Sequence, residues 1–222
     1  MNEDYFETID TEDKAYWFGF LCADGCVYKN NVYVSLCIRD IRHLQKFKQC
    51  IGCSKKLYII KPHHRTKNYS CTLQIRSEKM VKDLTEKGCV PRKSKILKFP
   101  AKEVMPESLL GHFIRGYFDG DGCLCLSHTN RRSRSKKPEN KDVTFKRDVW
   151  FLTFVGTYEF LSGIQEFFGD YNKLVYKKGS ENTYCLKYGG RVKVQHLASL
   201  LYKDATIWLD RKHHKYQQLM EC

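Results

Sequence analysis

The sequence has no hydrophobic run long enough to cross a bilayer. Its longest apolar stretch, from Ala15 to Ala23, is interrupted by Tyr16 and stops at Asp24, far short of the ~20 residues a spanning helix needs. The N-terminus, Met1-Asn2-Glu3-Asp4-Tyr5-Phe6-Glu7, is acidic and lacks the hydrophobic core of a signal peptide, so no membrane partner is expected. A secreted-type cysteine framework is also missing. The 11 cysteines are odd in number and scattered over 222 residues, which predicts free thiols in a reducing, intracellular compartment. Cys50 and Cys53 with His63 and His64 match no closed four-ligand zinc pattern well. Acidic side chains are scarce beside basic ones: 25 Asp and Glu against 39 Lys and Arg leave a net charge of +14. That excess says nothing about fold but makes a polyanion the expected partner, with a merely basic soluble protein as the bland alternative. A hydrophobic content of 42% and an aromatic content of 14% exclude a disordered chain.

What the chain does have is a repeat. Ala15-Tyr16-Trp17-Phe18-Gly19-Phe20-Leu21-Cys22-Ala23-Asp24-Gly25-Cys26 returns as His112-Phe113-Ile114-Arg115-Gly116-Tyr117-Phe118-Asp119-Gly120-Asp121-Gly122-Cys123. The offset, 121 − 24 = 97, is nearly half the chain, too long for a solenoid unit, and it points to two homologous halves related by a pseudo-two-fold axis. Each copy reads as a helix. Asp10 or Thr11 caps the first, Pro106-Glu107-Ser108 opens the second, and Gly25 and Gly122 stop them. Gly19 and Gly116 fall mid-helix, where glycine costs about 1 kcal/mol relative to alanine; a second backbone passing close by, that of the other copy, explains them.

The residues after each motif also run in parallel. Val32, Val34, Leu36 and Ile38 alternate with Tyr33, Ser35, Cys37 and Arg39, predicting a half-buried strand. A helix over 41–51, strands over 56–60 and 69–76 and a helix over 77–87 follow. The second half gives strands near 123–127 and 149–155, a helix over 158–168, strands near 174–177 and 184–188, and a helix over 192–201. The fold class is α+β: antiparallel sheets, each with one face covered by helices, in two halves, 1–105 and 106–222. The second half carries a basic insertion at about 127–148, read as either a solvated loop or a flexible arm on phosphates, with the arm favoured.

Asp24 and Asp121 end their helices. A carboxylate there faces the negative end of the macrodipole, at a cost of about 0.3–1 kcal/mol, and packing the two helices side by side adds mutual repulsion. Either motif alone reads as readily as an Asp-Gly turn. At matching positions in both halves, a shared divalent cation is the better account, because it needs hard anionic oxygens and neutralises both acids.

These segments resemble the motif of the LAGLIDADG homing endonucleases: Trp17 to Gly25 in the first copy, Ile114 to Gly122 in the second. The resemblance spans essentially the whole chain. It implies two pseudo-symmetric αββαββα halves, motif helices packed at the centre, and saddle-shaped sheets facing the DNA major groove. It also implies Mg2+, with Mn2+ or Ca2+ as substitutes for binding, held by Asp24 and Asp121 with the carbonyls of Ala23 and Gly120. The implied activity is cleavage of both strands of a long asymmetric double-stranded site, leaving 3′ overhangs, by a monomer. An intron-RNA splicing maturase and a catalytically silent DNA-binding protein are the alternatives on this fold, and host intron RNA is the second candidate partner. The sequence departs from the family pattern at Trp17, at Arg115, and at Cys22, where the second copy keeps Asp119.

A basic residue near each scissile phosphate is a further family feature. Lys93 and Lys212 are the assignments, with Lys95 and Lys215 as runners-up and a solvated lysine-rich stretch as the plainer reading. Expected DNA contacts are Tyr28, Lys29, Asn31, Tyr33, Ser35, Arg39, Arg65, Lys67, Gln74 and Arg76 in the first half. In the second they are Arg131, Arg132, Arg134, Lys173, Lys177, Lys178 and Lys187. Some position the protein on phosphates and others read base edges.

Overall fold

A computed structural model describes residues 1–62, 67–132 and 144–221, with the side chains of 129–132, 144 and 145 left out of the description. The first half runs α1 (Glu12–Asp24), β1 (Gly25–Tyr28), β2 (Asn31–Cys37), α2 (Ile41–Cys50), β3 (Tyr58–Ile60), β4 (Ser70–Arg76) and α3 (Glu78–Glu86). The second runs α4 (Leu110–Asp121), β5 (Cys123–Arg132), β6 (Thr144–Gly156), α5 (Tyr158–Phe168), β7 (Val175–Tyr176), β8 (Tyr184–Gly189), α6 (Arg191–Tyr202) and α7 (Asp210–Glu221). Each half holds one four-stranded antiparallel sheet, ordered β1-β2-β4-β3 and β5-β6-β8-β7. The α+β class and the repeated αββαββα pattern therefore hold.

Strand alternation decides which face is covered. Val32, Val34, Leu36, Leu73 and Ile75 are buried against Leu44 and Phe47 of α2 and Met80 and Leu84 of α3. Trp150, Leu152, Phe154, Leu186 and Tyr188 do the same against α5 and α6. Ser77 and Thr157 cap α3 and α5, accepting from the amides of Met80 at 3.2 Å and Phe160 at 3.1 Å.

Among the described residues, α1 and α4 pack on each other more extensively than any other pair of elements. A Cβ on Gly19 would collide with the backbone carbonyl of Phe113, and one on Gly116 with the carbonyl of Tyr16. Tyr16 and Phe113 occupy the same motif position, 113 − 16 = 97, so the two contacts are images of each other. Both glycines are needed for close approach, as the mid-helix placement predicts. The side chains around them, Trp17, Phe18, Phe20, Phe113 and Phe118, are fully buried.

Gly25 and Gly122 stop their helices as expected, in extended backbone (φ −75° and −84°); a Cβ there would strike Leu21 and Phe118 respectively. Three expectations need correction. Thr11 occupies the N-cap of α1, yet its side chain makes no capping bond there; it donates to Asp13 Oδ1 at 2.5 Å instead. Arg39 leaves the strand, because β2 ends at Cys37 and residues Ile38–Asp40 form a 3-10 turn. The insertion is not simply a loop. β5 and β6 pair without a break from Cys123↔Thr153 to Arg132↔Thr144, so its described part lengthens a hairpin; backbone pairing there needs no apolar pattern, and the basic side chains hid it. Helix α7 was not expected at all.

Substituting alanine for Gly116 should force α1 and α4 apart and cost about 1–3 kcal/mol, the usual price of overpacking. Equilibrium urea unfolding measures it; an unchanged midpoint would mean that the two backbones are not in contact.

Candidate metal and nucleic-acid site

The close helix packing brings the two acids together. Asp24 and Asp121 end α1 and α4 side by side, and a Cβ on Gly120 would lie 3.5 Å from the Asp24 carboxyl carbon and against Ala23 Cβ. Small residues at 23 and 120 are what let the helix ends meet. Neither helix has a basic residue in its last turn to offset the dipole. Desolvation, then repulsion by Asp121, pushes the Asp24 carboxyl up from 3.8 to about 6, against the pull of Lys212, Lys93 and Arg211. Desolvation also raises Asp121, with Lys212 and Lys93 opposing. Both carboxyls keep a solvent-exposed side, so screening moderates these effects.

Two buried lysines complete the cluster. Lys93 stands in a 3-10 turn, Lys93–Lys95, entered through Arg92 at φ +57°, and its Nζ donates to the carbonyl of Gly25. Lys212 rides the first turn of α7 and donates to the carbonyls of Phe118, of Gly120 at 3.3 Å and of Gly122 at 2.7 Å. Gly25 and Gly122 are equivalent motif positions, so each lysine is tied to the residue following one acid. The runners-up lie elsewhere. Lys95 is exposed and paired with Glu181 at 2.7 Å, and Lys215 is exposed and bonded to Gln218. Burial pulls the Lys212 ammonium down to about 8, with Asp119 holding it up and Arg211 adding to the fall. A cleft of about 240 Å³ opens beside the acids, lined by Ala23, Lys93, Tyr117, Asp121 and Thr157 among others.

The cluster suits a hard divalent cation. No group of three or more His, Cys, Asp or Glu suited to a metal occurs among the described residues. Mg2+ is typically held by one or two carboxylates while keeping waters and substrate phosphates, so two acids suffice. The Gly120 carbonyl is engaged by Lys212, so that lysine and a cation compete for it.

Sequence reading missed the polar network behind the acids. Asp119 is fully buried and accepts from Tyr202 Oη at 2.5 Å, Tyr16 Oη at 2.7 Å and the Leu209 amide at 2.7 Å. Tyr16 also meets His43 Nε2 at 3.0 Å. Since Tyr16 gives its proton to Asp119, His43 donates from Nε2, and its buried Nδ1 is left without a partner. Burial drives the His43 imidazole down to about 3, keeping it neutral. Arg115, an off-pattern residue in the motif, is buried and donates to Leu201 and Ile207 carbonyls and to Glu12 Oε1 at 2.7 Å. The signal was present in the sequence as two polar residues inside an apolar motif, but their partners come from distant elements.

The expected DNA contacts divide in two. Asn31, Tyr33, Ser35, Gln74, Arg76 and Lys187 project from the uncovered faces of the sheets. Tyr28 projects likewise at the end of β1. Lys29, Lys67, Lys173, Lys177 and Lys178 are exposed in loops at the sheet ends, where they form a basic rim. Arg39 lies in its turn, 3.9 Å from Asp40. Arg65 and Arg134 lie outside the described residues, as do the side chains of Arg131 and Arg132.

Two half-domains, each contributing a motif helix that ends in an acid at their junction, define a pseudo-symmetric two-motif architecture. It is the fold of the LAGLIDADG homing endonucleases. The chain is similar to the I-LtrWI LAGLIDADG homing endonuclease bound to target DNA, with a TM-score of 0.61 over 95% of this chain and 91% of that one at 10% identity. It is also similar to I-GzeII in complex with its DNA target (TM-score 0.59, 96% and 89% covered, 12% identity). A third is the meganuclease I-AabMI bound to uncleaved DNA (0.57, 93% and 89%, 15%). At these identities the likeness establishes the fold. No family model and no curated relative matches the sequence.

The acid pair sets a pH signature. A folded pKa raised from 3.8 to about 6 for Asp24 means that stability is full below the unfolded pKa and is lost as pH rises through about 6. Without metal, Asp24→Asn should therefore melt higher than the parent at pH 8, by about 1 kcal/mol or less after screening, and the gap should close near pH 4. Calorimetry in chelator tests this; a lower melting point for the variant at pH 8 would show that burial and the second acid do not disfavour the Asp24 carboxylate.

Proposed function

We propose that this chain is a site-specific, divalent-metal-dependent endonuclease that cuts both strands of a long asymmetric DNA site and leaves 3′ overhangs. One observation carries the reading. Two carboxylates, both disfavoured by burial and Asp24 further by Asp121, end two helices locked together by glycine, each beside a buried lysine bound to the carbonyl that follows an acid. A protein that only bound DNA would gain stability by losing one acid. Support comes from the relatives of like fold that were solved bound to DNA.

The acids and lysines divide the work. Asp24 and Asp121 would hold Mg2+, with the Ala23 carbonyl as a further oxygen. When bound, the metal supplies Lewis-acid polarisation of the phosphate and an activated water. Lys93 and Lys212 place positive charge where the phosphorane oxygens gain negative charge, and their burial strengthens that interaction. The sheets and their lysine rim hold the duplex, phosphates fixing position and base edges fixing sequence. Two unlike halves suit one monomer on one asymmetric site, unlike the palindrome that a symmetric dimer prefers.

Cleavage of a randomised duplex library tests the proposal. Specific double-strand breaks should need Mg2+ and fall roughly a thousandfold in Asp24→Asn or Asp121→Asn. Lys93→Met and Lys212→Met should each lose about 100- to 1,000-fold in rate while retaining binding. Tight, specific binding with no cleavage under Mg2+ or Mn2+ would leave a DNA-binding protein and end the enzymatic reading.

A further inference from the structure

The uncovered faces of the two sheets differ in chemistry. On the first, register pairs Asn31 with Arg76, Tyr33 with Gln74 and Ser35 with Thr72, so every one of these rungs carries hydrogen-bonding side chains. They are already cross-linked: Gln74 Nε2 donates to Asn31 Oδ1 at 3.0 Å and to Tyr33 Oη at 3.2 Å, and Thr72 donates to Ser35 at 2.9 Å. With those bonds made, Gln74 keeps its amide oxygen as an acceptor and Asn31 its amide nitrogen as a donor, the two roles that an adenine edge requires.

The matching strand of the second sheet, β6, turns Val149, Phe151, Thr153 and Val155 outward, while Trp150, Leu152 and Phe154 are buried beneath the helices. None of those outward positions carries a charge or an amide. Phe151 packs its ring against its cross-strand partner Gly189, where a Cβ would come within 2.8 Å of it. Lys187 rests its ammonium 3.6 Å from the ring centroid, over this apolar floor. Lys173, Lys177 and Lys178 stand exposed at the end of the sheet. A face with an apolar centre and a cationic rim is complementary to a groove walled by phosphates, and the apolar group a major groove offers is the thymine methyl.

We propose that the two sheets read DNA by different chemistry, the N-terminal one by hydrogen bonds and the C-terminal one by contact of Val149, Phe151, Thr153 and Val155 with thymine methyl groups, so that the half-site beneath the C-terminal sheet is thymine-rich. This rests on the DNA-binding reading above. It assigns part of the specificity to residues that carry no charge.

Binding-site selection with the full chain tests it. Random duplexes are made with thymidine or with deoxyuridine, which lacks the methyl, and Ca2+ replaces Mg2+ so that binding is read without cleavage. The half-site beneath the first sheet is the one whose sequence preference Gln74→Ala weakens. In the recovered site, each thymine-to-uracil change beneath the C-terminal sheet should weaken binding about fourfold per buried methyl. Changes beneath the N-terminal sheet should weaken it less than about twofold, and selection from the uracil library should lose the C-terminal preference. Uracil changes without effect beneath the C-terminal sheet, in a site that still binds tightly, would overturn the methyl reading alone. No enriched site from either library would overturn the DNA-binding reading together with it.

Discussion

The rest of the structure depends on two backbone contacts: Gly19 on the Phe113 carbonyl and Gly116 on the Tyr16 carbonyl. They allow α1 and α4 to touch along their length with aromatic side chains turned outward into each half's core. Because the contacts are images of each other, they also fix the rotation of one half against the other. The sheets, the helix ends and the acids take their relative positions from that one constraint. Ala23 and Gly120 continue it to the very end of the helices, so the meeting of Asp24 and Asp121 follows from side-chain size before any chemistry is considered.

That geometry is electrostatically uphill. Two carboxylates stand at the negative ends of two dipoles; burial favours protonation of both, Asp121 adds to the effect on Asp24, and two buried lysines return part of the loss. The lysines are mounted differently: Lys93 in a single 3-10 turn, Lys212 on a helix whose preceding residue, Leu209, is anchored to Asp119. The charge cluster is formally balanced, two acids against two bases. Strain of this kind is commonly found where binding or catalysis is performed, and here it is confined to the junction while the surrounding cores are conventionally packed.

Much of this was legible in the residues. The motif repeat gave both acids, the mid-helix glycines and the division into halves, since a helix that ends in Asp-Gly twice at one spacing leaves little freedom. Strand alternation gave the sheets because one face is buried. What stayed hidden was held by long-range or backbone forces. Helix α7 is polar throughout except for an intermittent stripe that includes Tyr216 and Leu219, and it is fixed by contacts such as Trp208 stacked on His213 at 4.0 Å. The lengthened β5–β6 hairpin rests on backbone pairing, to which its basic side chains give no clue. Arg39 alternates correctly with its neighbours, yet the chain turns one residue before it. The partners of Asp119 and Arg115 come from residues up to 103 positions away, beyond any local pattern.

The Asp119 and Arg115 networks also bear on how such a chain can be rearranged. Asp119 takes Tyr16 from the first half, and Arg115 takes Glu12 from it; at the equivalent places the first half has Cys22 and Phe18, and the second has Phe113 and Leu109. The junction is a key and a lock, not two copies of one surface. Two C-terminal halves brought together would bury two arginines and two aspartates without their cross-half partners, and two N-terminal halves would leave Glu12 and Tyr16 of each without the arginine and aspartate they meet here. The present halves are not interchangeable as a matched pair. The asymmetry of the junction therefore favours one half of each kind over two copies of either.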